Sequence, residues 1–292
     1  IREDMRVQRM LGHLPAILHD DPRSALVVGF GAGVTAGSLV VHPGIERIVI
    51  CEIEPLVPKA AGKLLAEANY GVLDDPRVEL VIDDARHYIA TTREQFDIIT
   101  SDPVDPWMDG AAVLFSVEYY ELARQRLRPG GIVAQWLPLY GTDIPSVKSA
   151  LASFFETFPD GTVWSSHIPR NAGSDLVMLA KDGKLEIDVD RLAARIAGNP
   201  RLAQSLDEVD FGYLVTLLAA YLGRGPDLAD WLRDAQINHE RSLRLQYLVG
   251  LSFERFPHLE VYREMARYRR YPESLLIASP DIRERVEARW RQ

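Results

Sequence analysis

Between residues 24 and 135 short apolar runs alternate with longer segments whose apolar positions repeat at helical spacing, a pattern that predicts successive βαβ units. The runs ALVVG (25–29), RIVICE (47–52), VELVI (78–82), FDIITS (96–101) and GIVAQW (131–136) predict strands. Each is apolar almost throughout, as expected of parallel strands covered by helices on both faces. Helical spacing falls between them at 34–41, 56–69, 85–91 and 117–127, the last closed by RPGG, where proline and glycine stop a helix. A further helix is expected over 144–158, and GTVWSS (161–166) and SDLVMLAK (174–181) are expected to add an antiparallel edge, with the sheet ending near Lys181. The fold class is therefore α/β, an open doubly wound sheet.

From about Asp188 the texture changes to helical segments separated by glycine and proline: DRLAARIAG, FGYLVTLLAAYLG, RSLRLQYLVGLS and HLEVYREMARYRR. The expected organisation is a leading segment over 1–23, a sheet domain over 24–183 and a helical extension over 184–292. The run YRRY at 268–271 reads as a solvated helix face with long stems lying on apolar surface.

Composition narrows the function. The 292 residues carry 33 Lys and Arg against 42 Asp and Glu, a formal charge of −9. Nonspecific nucleic-acid binding needs clustered cations to displace counterions, so no nucleic-acid partner is expected. The single cysteine, Cys51, sits in an apolar run and reads as a buried thiol, suited to a reducing, cytoplasmic compartment. No stretch reaches the ~18–20 apolar residues of a membrane span. The chain begins at Ile1, so a membrane segment upstream stays open as an expectation. No His or Cys cluster has ligand spacing, and no metal is expected.

Four motifs carry chemistry. In LVVGFGAGVTAG a strand runs into Gly29, Gly31 and Gly33 and then a helix, a turn that lets a ligand approach the backbone and is shared by dinucleotide and S-adenosyl ligands. Glu52, at the tip of the next strand, can accept hydrogen bonds from both hydroxyls of a ribose. Its neighbour Glu54 reads as a solvated residue opening the helix at Pro55. In VIDDARHY one aspartate caps a helix, and the other, preferably Asp84, can accept from an adenine amino group beside Ala85. Arg86 and His87 read as structural. In FDIITSDPVDPW, Asp102 and Asp105 stand three apart in a proline-stiffened loop, an arrangement that recognises a cation and can take a proton from an attacking amine. An alkylammonium titrates near ~10.4, so such a nucleophile must first be deprotonated and oriented.

The order of these motifs resembles that of the polyamine aminopropyltransferases, the spermidine synthases and their relatives, over roughly residues 7–140. VQRMLGHLP (7–15), VVGFGAGV (27–34), CEIEP (51–55), DDAR (83–86), DPVDP (102–106) and LFSVEYYELARQRLRPGGIVAQW (114–136) carry the resemblance. The SDPxxPW loop, QWLPLY and the helical tail look closer to the spermidine synthase-like domains that bacteria often fuse to membrane-embedded segments. The resemblance implies a Rossmann-like methyltransferase fold with a C-terminal helical extension, and a homodimer. It implies that Glu52 and Asp84, with Ala85 and the glycines, hold the nucleoside, and that Gln8, Asp105 and Gln135 hold an amine. It implies that Asp102 positions and deprotonates that amine. Two positions depart from the family pattern: Ala32 replaces the aspartate that pairs with the donor's ammonium, and Val7 replaces a tyrosine of the substrate site.

The leading expectation is an enzyme that moves an aminopropyl group from decarboxylated S-adenosylmethionine to an amine such as putrescine, releasing 5′-methylthioadenosine. Ala32 keeps a methyltransferase using intact S-adenosylmethionine as the alternative, since an aspartate there would repel that donor's carboxylate. A nucleoside- or polyamine-sensing domain without catalysis is a third reading. A nicotinamide-dependent dehydrogenase stands last, because the acidic loop offers no partner for hydride transfer.

Overall fold

A computed structural model describes residues 2–102, 104–166, 175–252 and 258–290. Elements follow in chain order: α1 (Arg2–Leu18), β1 (Ser24–Val28), α2 (Val34–Val40), β2 (Arg47–Glu52), α3 (Leu56–Leu64), β3 (Val78–Ile82), α4 (Ala85–Thr91), β4 (Phe96–Ser101), α5 (Val117–Arg126), β5 (Leu127–Pro138) and α6 (Ile144–Thr157). Then come β6 (Thr162–Ser165), β7 (Asp175–Lys181), β8 (Ile187–Asp188), α7 (Val189–Ala197), α8 (Pro200–Asp207), α9 (Leu214–Ala219), β9 (Tyr221–Arg224), α10 (Gly225–Leu228), α11 (Arg244–Ser252), α12 (His258–Ala266), β10 (Leu276–Ile277) and α13 (Pro280–Trp290).

The main sheet has the order β3-β2-β1-β4-β5-β7-β6-β9. The first five strands in that order pair in parallel, and β7 then pairs antiparallel with β5 and β6. The strand order reverses between β1 and β4, and a doubly wound sheet opens a ligand crevice at the carboxyl ends of strands at that point. The period-2 alternation of each strand feeds two cores. Leu26, Val28, Val49, Cys51, Ile99 and Val133 face α5, α6 and α11, while Ala25, Val27, Ile48, Ile50 and Ile98 face the layer of α1 and α2.

Three expectations are corrected. The helix over 56–69 stops at Leu64 and gives way to turns that lead into a short 3-10 segment at Val72–Asp74. With so short a cover, edge strand β3 is not buried on both faces: Leu80 and Ile82 are exposed. The sheet does not end near Lys181, because β9 joins it beside β6, with Thr162 opposite Arg224 and Val163 opposite Gly223. In FGYLVTLLAAYLG the helical period thus ends at Ala219, and the remaining residues pair as a strand. Such a segment is too short for periodicity alone to divide. Ser174, the first residue of the expected strand over 174–181, and Pro103 lie outside the described residues.

The leading segment, which the pattern left without an element, is the helix α1, and it packs across α2. Gly12 makes this crossing possible, since a Cβ there would lie 2.7 Å from the Thr35 carbonyl oxygen. The crossing sets Gln8, one turn before Gly12, over the first turn of α2.

Candidate active site

The strand ends are level. Val28 is in register with Cys51 and with Ser101, and Ser101 with Gln135. The ladder continues one residue past each tip: the Gly29 amide donates to the Cys51 carbonyl (2.8 Å), Asp102 to Val28 (3.1 Å) and Asp83 to Glu52 (3.1 Å). The residues that follow β1, β2, β3 and β4 therefore share one rim.

In the glycine turn all three glycines have positive φ, 84° at Gly29, 52° at Gly31 and 77° at Gly33. They serve different purposes. A Cβ on Gly29 would come 2.8 Å from the Asp102 carbonyl oxygen, so this glycine lets the β4 loop close onto the β1 loop. Gly31 meets nothing within 4 Å and is the one whose open side can admit a ligand. The Ala32 carbonyl accepts from the Asn69 side-chain amide (3.1 Å), which braces the turn from behind.

Glu52 is buried, and its oxygens accept from the backbone amides of Phe30 (2.7 Å) and Glu54 (2.8 Å). It thus joins the glycine turn to the β2 loop. Asp84 is the N-cap of α4, its Oδ1 accepting from the His87 amide (2.9 Å), whereas Asp83 faces the His87 ring (2.8 Å). The capping role accordingly falls on Asp84 itself, because α4 starts at Ala85, directly after it. Arg86 forms a two-point pair with Glu240, and exposed Glu54 accepts from the Leu56 amide at the start of α3. Burial pushes the Cys51 thiol up to about 12, so it stays protonated and unreactive.

Asp102 stands at the sheet's switch point. The Thr35 hydroxyl donates to its Oδ2 (3.1 Å), and the Gln8 side chain hydrogen-bonds it as well. Burial raises its carboxyl to about 6, against these two hydrogen bonds, which favour the charged form. Asp105 is half-buried and accepts from the Tyr140 hydroxyl (2.9 Å); burial raises its carboxyl too. Tyr140 in turn packs edge-on against Trp107, with ring centroids 5.7 Å apart. Its phenol is held protonated first by burial and then by Asp105, with smaller contributions from the charges of Asp175 and Asp102. Gln135 is fully buried, its amide nitrogen donating to the Leu114 carbonyl (2.9 Å) while its Oε1 meets no partner.

The structure thus places Gln8, the glycine turn, Glu52, Asp102 and Asp105 along the rim at the carboxyl ends of the strands, with Asp84 and Ala85 after β3 and Gln135 in β5 opposite Ser101. It adds Thr35, Trp107 and Tyr140. Thr35 lay within the glycine motif and the aromatic residues within DPVDPW and QWLPLY, but only the folded contacts give them a part.

The sheet order and the acid-tipped strands define a Rossmann-like domain of the class that includes methyltransferases. A family model described as the spermine/spermidine synthase domain matches residues 4–169, more than half of the chain, and the protein belongs to that family. A polyamine aminopropyltransferase from Nitrosomonas europaea is 34% identical over 192 residues, covering 64% of this chain and 58% of that protein. A spermidine synthase from Dictyostelium discoideum is 31% identical over 175 residues, covering 60% of this chain and 61% of that protein. The chain therefore spans about three fifths of the length of such relatives. A crystal structure of spermidine synthase with the transition state analogue AdoDATO superposes with a TM-score of 0.56 at 25% identity, over 70% of this chain and 76% of that one. Human methyltransferase-like protein 13, at 19% identity, 70% and 91% coverage and a TM-score of 0.50, shares the fold.

Among the described residues no helix is long and apolar enough to cross a membrane, and no three His, Cys, Asp or Glu side chains converge as a metal site.

Proposed function

We propose that the protein transfers an aminopropyl group from decarboxylated S-adenosylmethionine to a small amine such as putrescine, releasing 5′-methylthioadenosine. The observation that carries this reading is Asp102, a half-buried carboxylate at the switch point held by the Thr35 hydroxyl and the Gln8 side chain. Glu52 and Asp84 are the acids for ribose and adenine. The exposed side chains of Ile53 and Ile82, at the ends of β2 and β3, support the reading by offering an apolar surface for a flat base. Gln8 and Asp105 hold the amine, with Gln135 below. Asp102 accepts one proton from the acceptor ammonium, the freed nitrogen pair forms a bond to the carbon beside the sulfonium, and the carbon–sulfur bond breaks with its electrons going to sulfur. No covalent enzyme intermediate is needed. Alignment of nitrogen, carbon and sulfur and proton removal supply the rate.

Ala32 favours a second reading, methyl transfer from intact S-adenosylmethionine, because no carboxylate at that position opposes an amino-acid tail. Incubation with each donor and putrescine separates the two by product: methylthioadenosine marks aminopropyl transfer and adenosylhomocysteine methyl transfer. Asp102→Asn is expected to lower turnover by at least 100-fold with nucleoside binding retained; full activity in this variant removes Asp102 from the mechanism. Assembly as a homodimer in a cytoplasmic compartment belongs to the same proposal. Free, buried Cys51 supports the compartment, and light scattering tests the dimer.

A further inference from the structure

The acid limb of any reaction that uses Asp102 depends on what holds this carboxylate, and two helices do so. Thr35 lies in the first turn of α2, two residues after Gly33, and is buried. Its hydroxyl donates to Asp102 Oδ2 at 3.1 Å. Gln8 reaches the same carboxylate from α1. The backbone is fixed as closely: the Asp102 amide is bonded to Val28, and Gly29 leaves just enough room for the Asp102 carbonyl. The turn expected to receive the donor and the group expected to receive the proton are one mechanical unit.

We propose that Thr35 is the positioning residue for Asp102, its hydroxyl fixing the orientation of the carboxylate toward the acceptor amine and tying that orientation to the glycine turn that binds the donor. The inference deepens the reading above and rests on Asp102 as the proton acceptor. The groups that face Asp102 are few. Gln8 comes from α1 and Thr35 from α2, Asp105 shares the loop, and Tyr140, bonded to Asp105, feels the Asp102 charge. Arg9, next to Gln8, turns away to Ser38, Ala68 and Glu208. Among the described residues no cation competes with Thr35 for this role. Losing its donated hydrogen bond removes a contact that favours the carboxylate, so the proton is held more tightly and the base is charged over a narrower pH range.

The test uses two substitutions of similar size. Thr35→Val keeps the branched shape and loses the hydroxyl; Thr35→Ser keeps the hydroxyl. Thr35→Val is expected to lower kcat about tenfold at pH 7 and to move the acid limb of kcat/KM for the acceptor about one pH unit upward, with the donor KM within about twofold of the parent. Thr35→Ser is expected to restore both. A second readout needs no turnover: the carbon-13 signal of the Asp102 carboxyl, assigned by its loss in Asp102→Asn, is expected to titrate near 6 in the parent and higher in Thr35→Val. An unchanged titration in Thr35→Val, or equal impairment of the valine and serine variants, overturns the inference. Full activity of Asp102→Asn instead overturns the reaction assigned to Asp102 and leaves the carbon-13 comparison to decide the role of Thr35.

Discussion

At the scale of single residues the site is a balance between burial and hydrogen bonding. Asp102 has lost part of its water, and two donated hydrogen bonds recover only some of the cost of its charge. The consequence for stability has a definite sign. A carboxyl whose proton is held more tightly when folded favours the native state at low pH and loses that contribution as pH rises toward 6. Above that pH the native chain bears a charge that the unfolded chain carries more easily. Asp102→Asn is therefore expected to stabilise the protein by about 2 kcal/mol at pH 8 and by almost nothing at pH 4, read from urea midpoints. Equal effects at the two pH values would show that the folded carboxyl titrates in the ordinary range. A carboxyl so perturbed by burial at the carboxyl ends of the strands is characteristic of a functional site.

At the scale of elements, α1 and α2 are locked at both ends of their contact. One end places Gln8 and Thr35 on Asp102. At the other, His13 Nδ1 lies 3.0 Å from His42 Nε2 just beyond α2, and His13 Nε2 lies 2.7 Å from Ser205 on α8. Both rings are buried, and both are held neutral chiefly by burial: His42 is pushed down to about 3, with Arg195 and Arg77 adding to the effect, and His13 well below its usual value, with His42 and Arg9 adding. Here the sign is opposite to that of Asp102. Below about pH 6.5 the unfolded chain gains protons that the native chain refuses, so stability falls with acidification. The expected slope is about 1.4 kcal/mol per pH unit for each ring between pH 6 and 4.5. His42→Gln is expected to remove one ring's share, which urea titrations at several pH values measure; an unchanged slope would mean that this ring is protonated in the native state.

At the scale of the whole molecule the helical extension is part of the sheet domain's own structure. Its residues Leu192, Leu202, Leu206, Val209 and Phe211 share a core with Leu11 and Leu14 of α1 and with Ile132 and Trp164 of the sheet. Arg6 ties the two halves. It is fully buried and donates to the carbonyls of Val209 (3.1 Å) and Ser166 (3.2 Å) and to the Asp210 carboxylate (2.8 Å). Replacing it removes three donated hydrogen bonds from a fully buried side chain, so Arg6→Met is expected to cost about 3 kcal/mol and to loosen α1, and with it Gln8. Thermal melting and the acceptor KM, both altered together, would show that the extension supports the site through α1; a change in melting alone would confine the effect to stability.

The sequence by itself determined what depends on local spacing. Continuous apolar runs and helical periods located the five parallel strands and the antiparallel edge. The acids and glycines that follow strands β1 to β4 were legible because a doubly wound sheet places such residues on one rim. Tertiary structure decided what depends on distant contacts. Residues 221–224 became a strand because β6 offered them an edge. Asp84 became a cap because α4 begins beside it, and Leu80 and Ile82 stayed exposed because α3 ends at Leu64. Thr35 and Tyr140 gained their parts only when folding set their hydroxyls against Asp102 and Asp105, 67 and 35 positions away in the chain. Periodicity records which face of an element is buried, whereas the partner of a hydroxyl is fixed by how elements far apart in the chain cross.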